Sequence, residues 1–232
     1  MIELRPYKDL GGANHGWLDT RHHFSFAGYQ DPDRVHWGKL RVWNDDWIAP
    51  GTGFDPHPHQ DMEIVTYVRE GAITHQDSLG NKGRTEAGDV QVMSAGTGIR
   101  HAEYNREPGP TRLFQIWIIP DERGGKPFWD ARPFPKGDRA GHFVTLASGI
   151  AGDEDALPIR ASARVLDATL KARQQAEYRL AAGRHAYIVA AAGKIAVNGV
   201  AAAAGDGVAI ADESVLHFTA SEDSELVLVD TA

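Results

Sequence analysis

The sequence predicts an all-β fold of two related β units, and three observations predict it. Short runs rich in β-branched and aromatic residues recur along the chain, turn-forming clusters separate them, and strand–turn patterns of the first half are echoed in the second. Few windows carry the 3.6-residue period of an amphipathic helix. Short strands at such regular spacing favour a sandwich or a barrel.

Taken in order, residues 35–43, 63–68, 90–93 and 112–119 read as strands, because their Val, Ile, Tyr and Trp side chains fit a pleated, half-buried surface. Between them stand the turn clusters Ala49-Pro50-Gly51-Thr52-Gly53, Glu70-Gly71, Leu79-Gly80-Asn81-Lys82-Gly83, Ala87-Gly88-Asp89 and Gly109-Pro110. Residues 121–141 are dense in Gly and Pro, which suggests a connector or extended crossing segment rather than a core strand. Beyond it, residues 186–195 echo 64–73 with Gly193 opposite Gly71, and 203–209 echo 86–92 with Gly205-Asp206 opposite Gly88-Asp89. A duplicated β unit explains both echoes in the same order. In that register His57, His59 and Glu63 fall opposite Arg179, Ala181 and His185, and His101 falls near His217. The second copy keeps the turns and loses the paired histidines.

Composition narrows the chemistry. A net charge of −8 makes nucleic acid or an anionic membrane surface an unsuitable direct partner, and no Lys/Arg run supports a local basic patch. Charges at Glu3, Arg5 and Lys8 sit where a signal peptide needs an apolar core, and no stretch is long and apolar enough to span a bilayer. With no cysteine, disulfides, thiolate ligands and a Cys nucleophile are excluded, which suits a reducing cytoplasm. Any metal must be held by His and carboxylate. Eight of the eleven histidines occur by residue 101, so the site chemistry is expected in the first half.

Two short pairs concentrate that chemistry: His57-Pro58-His59 and His101-Ala102-Glu103. Side chains at i and i+2 of a strand share a face, so two such strands side by side aim imidazoles and a carboxylate at one point. Three nitrogens and one oxygen make a first shell for a divalent transition metal with positions left open. On a regular strand Glu63 would share the inward face with His59, so spacing alone leaves Glu63 and Glu103 both available, although His101/Glu103 is the tighter pair.

The segment Gly51-x5-His57-x-His59-x3-Glu63-x7-Gly71 resembles the first cupin motif, and Gly88-x5-Ser94-x-Gly96-x4-His101-x3-Asn105 a looser second one. The stretches 94–103, Arg21-His22-His23-Phe24-Ser25-Phe26, 40–46 and 56–63 resemble the pirin branch of the cupins, closest in length and motif wording to bacterial pirin-like quercetin 2,3-dioxygenases. This resemblance is specific across about residues 15–120 and looser beyond. It implies a bicupin: two jelly-roll barrels, a metal-binding one over residues 1–130 and a degenerate one over 131–232, joined at about 121–141, with the metal in the first only. It also implies that His57, His59, His101 and Glu103 are the ligands, with Glu63 an acceptor that orients His57 or His59. One divalent metal is implied, Fe(II) in the cell, with Ni, Cu, Co, Mn or Zn also suited to imidazole and carboxylate.

The activity so implied is cleavage of a flavonol such as quercetin by dioxygen with release of carbon monoxide, Glu103 accepting the substrate's hydroxyl proton if it detaches from the metal or is only weakly bound. The competing implication is a redox-responsive regulator that acts on a protein partner; a third is an isomerase using the same shell without oxygen. A monomer is expected. His22 and His23 are adjacent and face opposite ways, so at most one approaches the cavity, in a structural or supporting role. His15, His36, His75 and His142 lack a partner at ligand spacing and read as surface or satisfied core, as do His185 and His217. Phe24 and Phe26 are candidates for the pocket mouth. No Gly-x-Ser-x-Gly elbow or phosphate loop is present.

Overall fold

The structure, a computed structural model, describes residues 1–232 except the side chain of Lys136. Strands dominate, and the described helices are two 3-10 turns, Tyr7–Asp9 and Lys136–Arg139. Among the described residues, no helix is long and apolar enough to cross a membrane.

Two barrels form, each from a seven-stranded sheet facing a four-stranded one. In the first, the large sheet runs Phe128–Arg132, Val90–Ser94, Glu63–Glu70, Thr111–Ile118, Leu40–Ile48, Leu18–His22, Gly11–Asn14, and the small one Gly53–His59, Ile99–Tyr104, Ala72–Asp77, Lys82–Glu86. In the second, the large sheet runs Ile2–Arg5, Gly207–Ala211, His185–Ala192, Ser224–Thr231, Ala163–Leu170, Val144–Ser148, Leu157–Pro158, and the small one Gln175–Arg179, Val215–Ala220, Lys194–Val197, Val200–Ala203. The duplicated segments occupy matching places in the two orders, so the chain is a bicupin.

The large sheets pack back to back, and this burial accounts for their near-continuous apolar runs. On Thr111–Ile118, Phe114, Ile116 and Ile118 enter the core shared with the second barrel, while Gln115 and Trp117 line the cavity of the first. The two-residue period thus sorts one strand between an interface and an interior. Val65 and Tyr67 meet Tyr187, Val189, Val227 and Val229 in that shared core.

The two interiors differ in kind. The second barrel is filled by aliphatic and aromatic side chains including Leu180, Ile195, Leu216 and Phe218. In the first, apolar packing splits into two smaller clusters, around Ile73 and Leu113 and around Ile64 and Ile99. Buried polar side chains occupy the space between.

Two boundaries depart from the sequence reading. Phe128–Arg132, inside the expected connector, is an edge strand paired with Val90–Ser94, so a division at 130/131 cuts a strand. Its Phe128-Trp129 pair forms the strand; the Pro and Gly on either side mask it. Ile2–Arg5, placed by sequence with the first unit, pairs with Gly207–Ala211 of the second. Both segments lie outside the repeat, and each completes the same edge of a large sheet.

Candidate metal centre

Strands Gly53–His59 and Ile99–Tyr104 are antiparallel neighbours, with His101 opposite His57 and Ile99 opposite His59. The register shifts between His101 and Glu103. At that bulge the backbones approach so closely that a Cβ on Gly53 would lie 2.1 Å from the Glu103 carbonyl oxygen, and only glycine fits. The turns at each end and this close approach bring His57, His59 and His101 together, with ligand nitrogens all within 4.8 Å of one another. The Nε2 atoms of His57 and His101 face each other at 3.1 Å. His57 Nδ1 turns away and donates to the Asp55 carbonyl at 2.7 Å, which leaves Nε2 as its free lone pair.

Electrostatics keeps the His59 and His101 imidazoles neutral. Burial, then the neighbouring histidines, pushes His101 down to about 2, and burial with His57 pushes His59 to about 4. A neutral ring is the form that binds a metal. Glu103 is fully buried and burial raises its carboxyl to about 7, against the opposing hydrogen bonds it receives. Gln91 Nε2 donates to Oε1 and Gln115 Nε2 to Oε2, each at 2.6 Å, and Thr66 Oγ1 donates more weakly at 3.4 Å. Its oxygens group with His101 and His75, and His101 thereby belongs to both ligand-like clusters.

All four candidate ligands line one open cavity of about 420 Å³. Trp17, Phe26, Phe54 and Trp117 give it aromatic walls, and Thr20, Asn44 and Asp46 a polar one. Three imidazoles, one buried carboxylate and an open side are a donor set that fits a divalent transition metal.

Other sequence candidates fall elsewhere. Glu63 does not orient His57 or His59: Ser94 Oγ donates to it at 2.7 Å and the Arg160 amide, from the second barrel, at 3.1 Å. The chain turns at Asp61, with φ 49°, so Glu63 starts a strand of the large sheet instead of continuing the His59 strand. Phe26 lines the cavity, but Phe24 is in the shared core against Tyr187. His23 hydrogen-bonds the Tyr187 hydroxyl at 2.9 Å, and His22 packs edge-on against Phe26. His217 is exposed beside Glu177.

Sequence reasoning missed His75, which is fully buried at the edge of the cluster, and the glutamines that hold Glu103. Signals existed: His75-Gln76-Asp77 has the same i, i+2 form as the other pairs, and Gln91 and Gln115 interrupt strands that are otherwise apolar.

Comparison with known proteins agrees with this architecture. The Pirin family model matches residues 3–118, and the model for the quercetinase C-terminal cupin domain matches residues 145–231. A pirin-like protein of Caulobacter vibrioides is 66% identical, with 100% of both chains covered. A protein of Escherichia coli K12 named quercetin 2,3-dioxygenase is 45% identical over 99% of this chain and 98% of its own. The crystal structure of an Escherichia coli bacterial pirin in complex with nickel(II) superposes with a TM-score of 0.92 at 44% identity, covering 100% of this chain and 99% of that one.

Proposed function

The chain belongs to the pirin family of cupins, and from that premise we propose that it is a metal-dependent dioxygenase that opens the central ring of flavonols such as quercetin with loss of carbon monoxide. One observation carries the reading: three imidazoles and a buried carboxylate converge on a cavity of about 420 Å³ whose walls are aromatic. That volume lies within the roughly 300–1,000 Å³ of small-molecule sites. His57, His59, His101 and Glu103 hold the metal; Fe(II) is the cellular ion in this proposal, and the nickel-bound relative supports a site that accepts other divalent ions.

The metal, when bound, supplies the Lewis acidity that lowers the pKa of a substrate hydroxyl and the redox chemistry that dioxygen requires. The residues do the rest. Trp117, Phe26 and Phe54 hold planar rings and exclude water from the deprotonated substrate. Glu103 takes the hydroxyl proton as its carboxylate loosens from the metal, and Gln91 and Gln115 hold the carboxyl beside the site by their hydrogen bonds. Oxygen uptake with one equivalent of carbon monoxide on adding quercetin to metal-loaded protein is the expected result. Absence of turnover with Fe(II), Ni, Cu, Co, Mn and Zn would sink it.

A second reading, a redox-responsive regulator acting through a protein partner, has its own support: His57 and His59 are only half-buried, so a change at the metal adjoins the surface.

A further inference from the structure

His75 stands behind His101 in a chain of polar contacts that leads away from the cavity. His101 Nδ1 and His75 Nδ1 lie 3.4 Å apart, and His75 Nε2 lies 3.1 Å from Asp77 Oδ2. Asp77 is itself fixed: the Leu79 and Asn81 amides donate to Oδ1 at 2.9 and 3.0 Å, and Asn81 Nδ2 donates to Oδ2 at 2.9 Å. Three strands meet here, since Ile99–Tyr104 pairs with Ala72–Asp77 on the side away from His57.

Counting donors and acceptors leaves one arrangement. Asp77 as a carboxylate accepts only, so His75 Nε2 carries a proton and donates to it. A neutral His75 then has an unprotonated Nδ1, which accepts from His101 Nδ1–H. His101 is left with its lone pair on Nε2, the atom that faces His57 across 3.1 Å. Every contact runs in the same direction, from the cavity to Asp77.

The His75 ring is also held mechanically. Trp129 stacks on it at 4.8 Å with the planes 9° apart. Gly83 is the cross-strand partner of His75, and a Cβ there would lie 2.2 Å from Trp129 Cη2. The missing side chain at 83 is therefore what admits the indole. Neither the stack nor the glycine is needed for His75 to reach Asp77. Both restrict the angle at which its Nδ1 meets His101.

We propose that Asp77 and His75 form a carboxylate–imidazole–imidazole chain that positions His101, fixing its tautomer and ring orientation so that Nε2 is presented to the metal. His57 receives the same service from a single backbone carbonyl on an exposed strand. His101 receives it from a buried, charged and stacked assembly, which holds its ring more firmly than that of His57. The proposal rests on the reading of His101 as a ligand. His75 and Asp77 are positioning residues and touch neither metal nor substrate.

The test uses the full chain loaded with Co(II), which shifts the exchangeable N–H protons of coordinated histidines far outside the ordinary NMR window. Expected for the unaltered protein is one equivalent of Co(II), with the His101 Nδ1–H exchanging slowly with water. His75→Phe keeps a ring for Trp129 and removes both nitrogens; it should lose that slow signal and weaken metal binding by about 10–100-fold in competition with a chelator. Asp77→Asn, nearly unchanged in volume, should speed the same exchange and weaken binding less. Circular dichroism of the metal-free variants separates these effects from misfolding, and Asp77→Asn decides the matter if His75→Phe does not fold. Unchanged exchange and affinity in a folded variant overturns the chain. So does a second equivalent of Co(II) that His75→Phe abolishes, since His75 would then be a ligand. His101→Ala separates the premise: if it still binds one equivalent, the reading of the metal centre fails, whereas its loss beside indifferent His75 and Asp77 variants leaves that reading standing and removes only the chain.

Discussion

His101 carries constraints from both sides, because its ring faces His57 through one nitrogen and His75 through the other. Its removal should abolish stoichiometric metal, read by elemental analysis; a His101→Ala protein that still carries one ion per chain contradicts the centre. Glu103 sets the pH dependence. With its carboxyl raised to about 7 and His59 and His101 neutral down to about 4, a proton on Glu103 competes with the metal between pH 7 and pH 5. Metal affinity should fall by at least about tenfold per pH unit below 7, with at least one proton released per ion bound. Calorimetry in buffers of different ionisation enthalpy counts that proton, and a flat affinity from pH 8 to 5 would remove Glu103 from the shell. The same burial acts on stability without metal. Asp46, like Glu103, is raised to about 7, by burial first. These two carboxyls bind more protons in the native state than in the unfolded chain between about pH 4 and 7, so the stability they contribute at low pH is lost as pH rises through 7. His22, His23, His59 and His101, all pushed down by burial, act in the opposite sense below about pH 6.5, so the carboxyl share is read as a difference. From about pH 4 to 7 the melting temperature of the metal-free protein should fall relative to that of Asp46→Asn, and parallel curves would remove the Asp46 share.

Among the elements, the edge strand Phe128–Arg132 does more than connect. It lays Trp129 over His75, and Gly83 leaves the room for it. Gly83→Ala should force the indole off His75 at a cost of about 1–3 kcal/mol, typical of overpacking. Denaturant unfolding and near-ultraviolet circular dichroism read this, with Trp129→Phe as reference; an unchanged midpoint would show that the contact gives way freely. This strand was illegible because Gly124, Gly125, Pro127, Pro133 and Pro135 surround it. A five-residue edge strand needs only one neighbour, so its own pattern is short. By contrast, Gly53–His59 and Ile99–Tyr104 announced themselves through same-face spacing, which any two strands obey whatever they pair with.

Across the whole molecule, the two barrels share their largest apolar core and exchange edges through Ile2–Arg5 and Phe128–Arg132. Arg5 adds to this, buried with its guanidinium 5.5 Å from the Phe24 ring centroid and 5.6 Å from that of Tyr187. Residues 1–130 expressed alone would expose the back of the large sheet and leave Ile2–Arg5 without its partner strand. Such a piece is expected to aggregate or to lose cooperative unfolding, as judged by solubility and calorimetry; a soluble 1–130 fragment binding one metal ion would refute that dependence.

The sequence by itself determined the all-β character, the duplication and the two ligand-like pairs, because these rest on local periodicity, turn residues and same-face spacing. It also accounted for chemical asymmetry, since the second copy lacks the histidines and fills its interior with apolar side chains. Only the tertiary structure decided that His101 lies opposite His57, that Glu63 bridges the barrels, and that His75 stands at the centre. Those facts depend on which strands become neighbours and how a turn at Asp61 or a bulge at His101 redirects them. Strand pairing is a contact between residues far apart in the chain, and no local pattern encodes it.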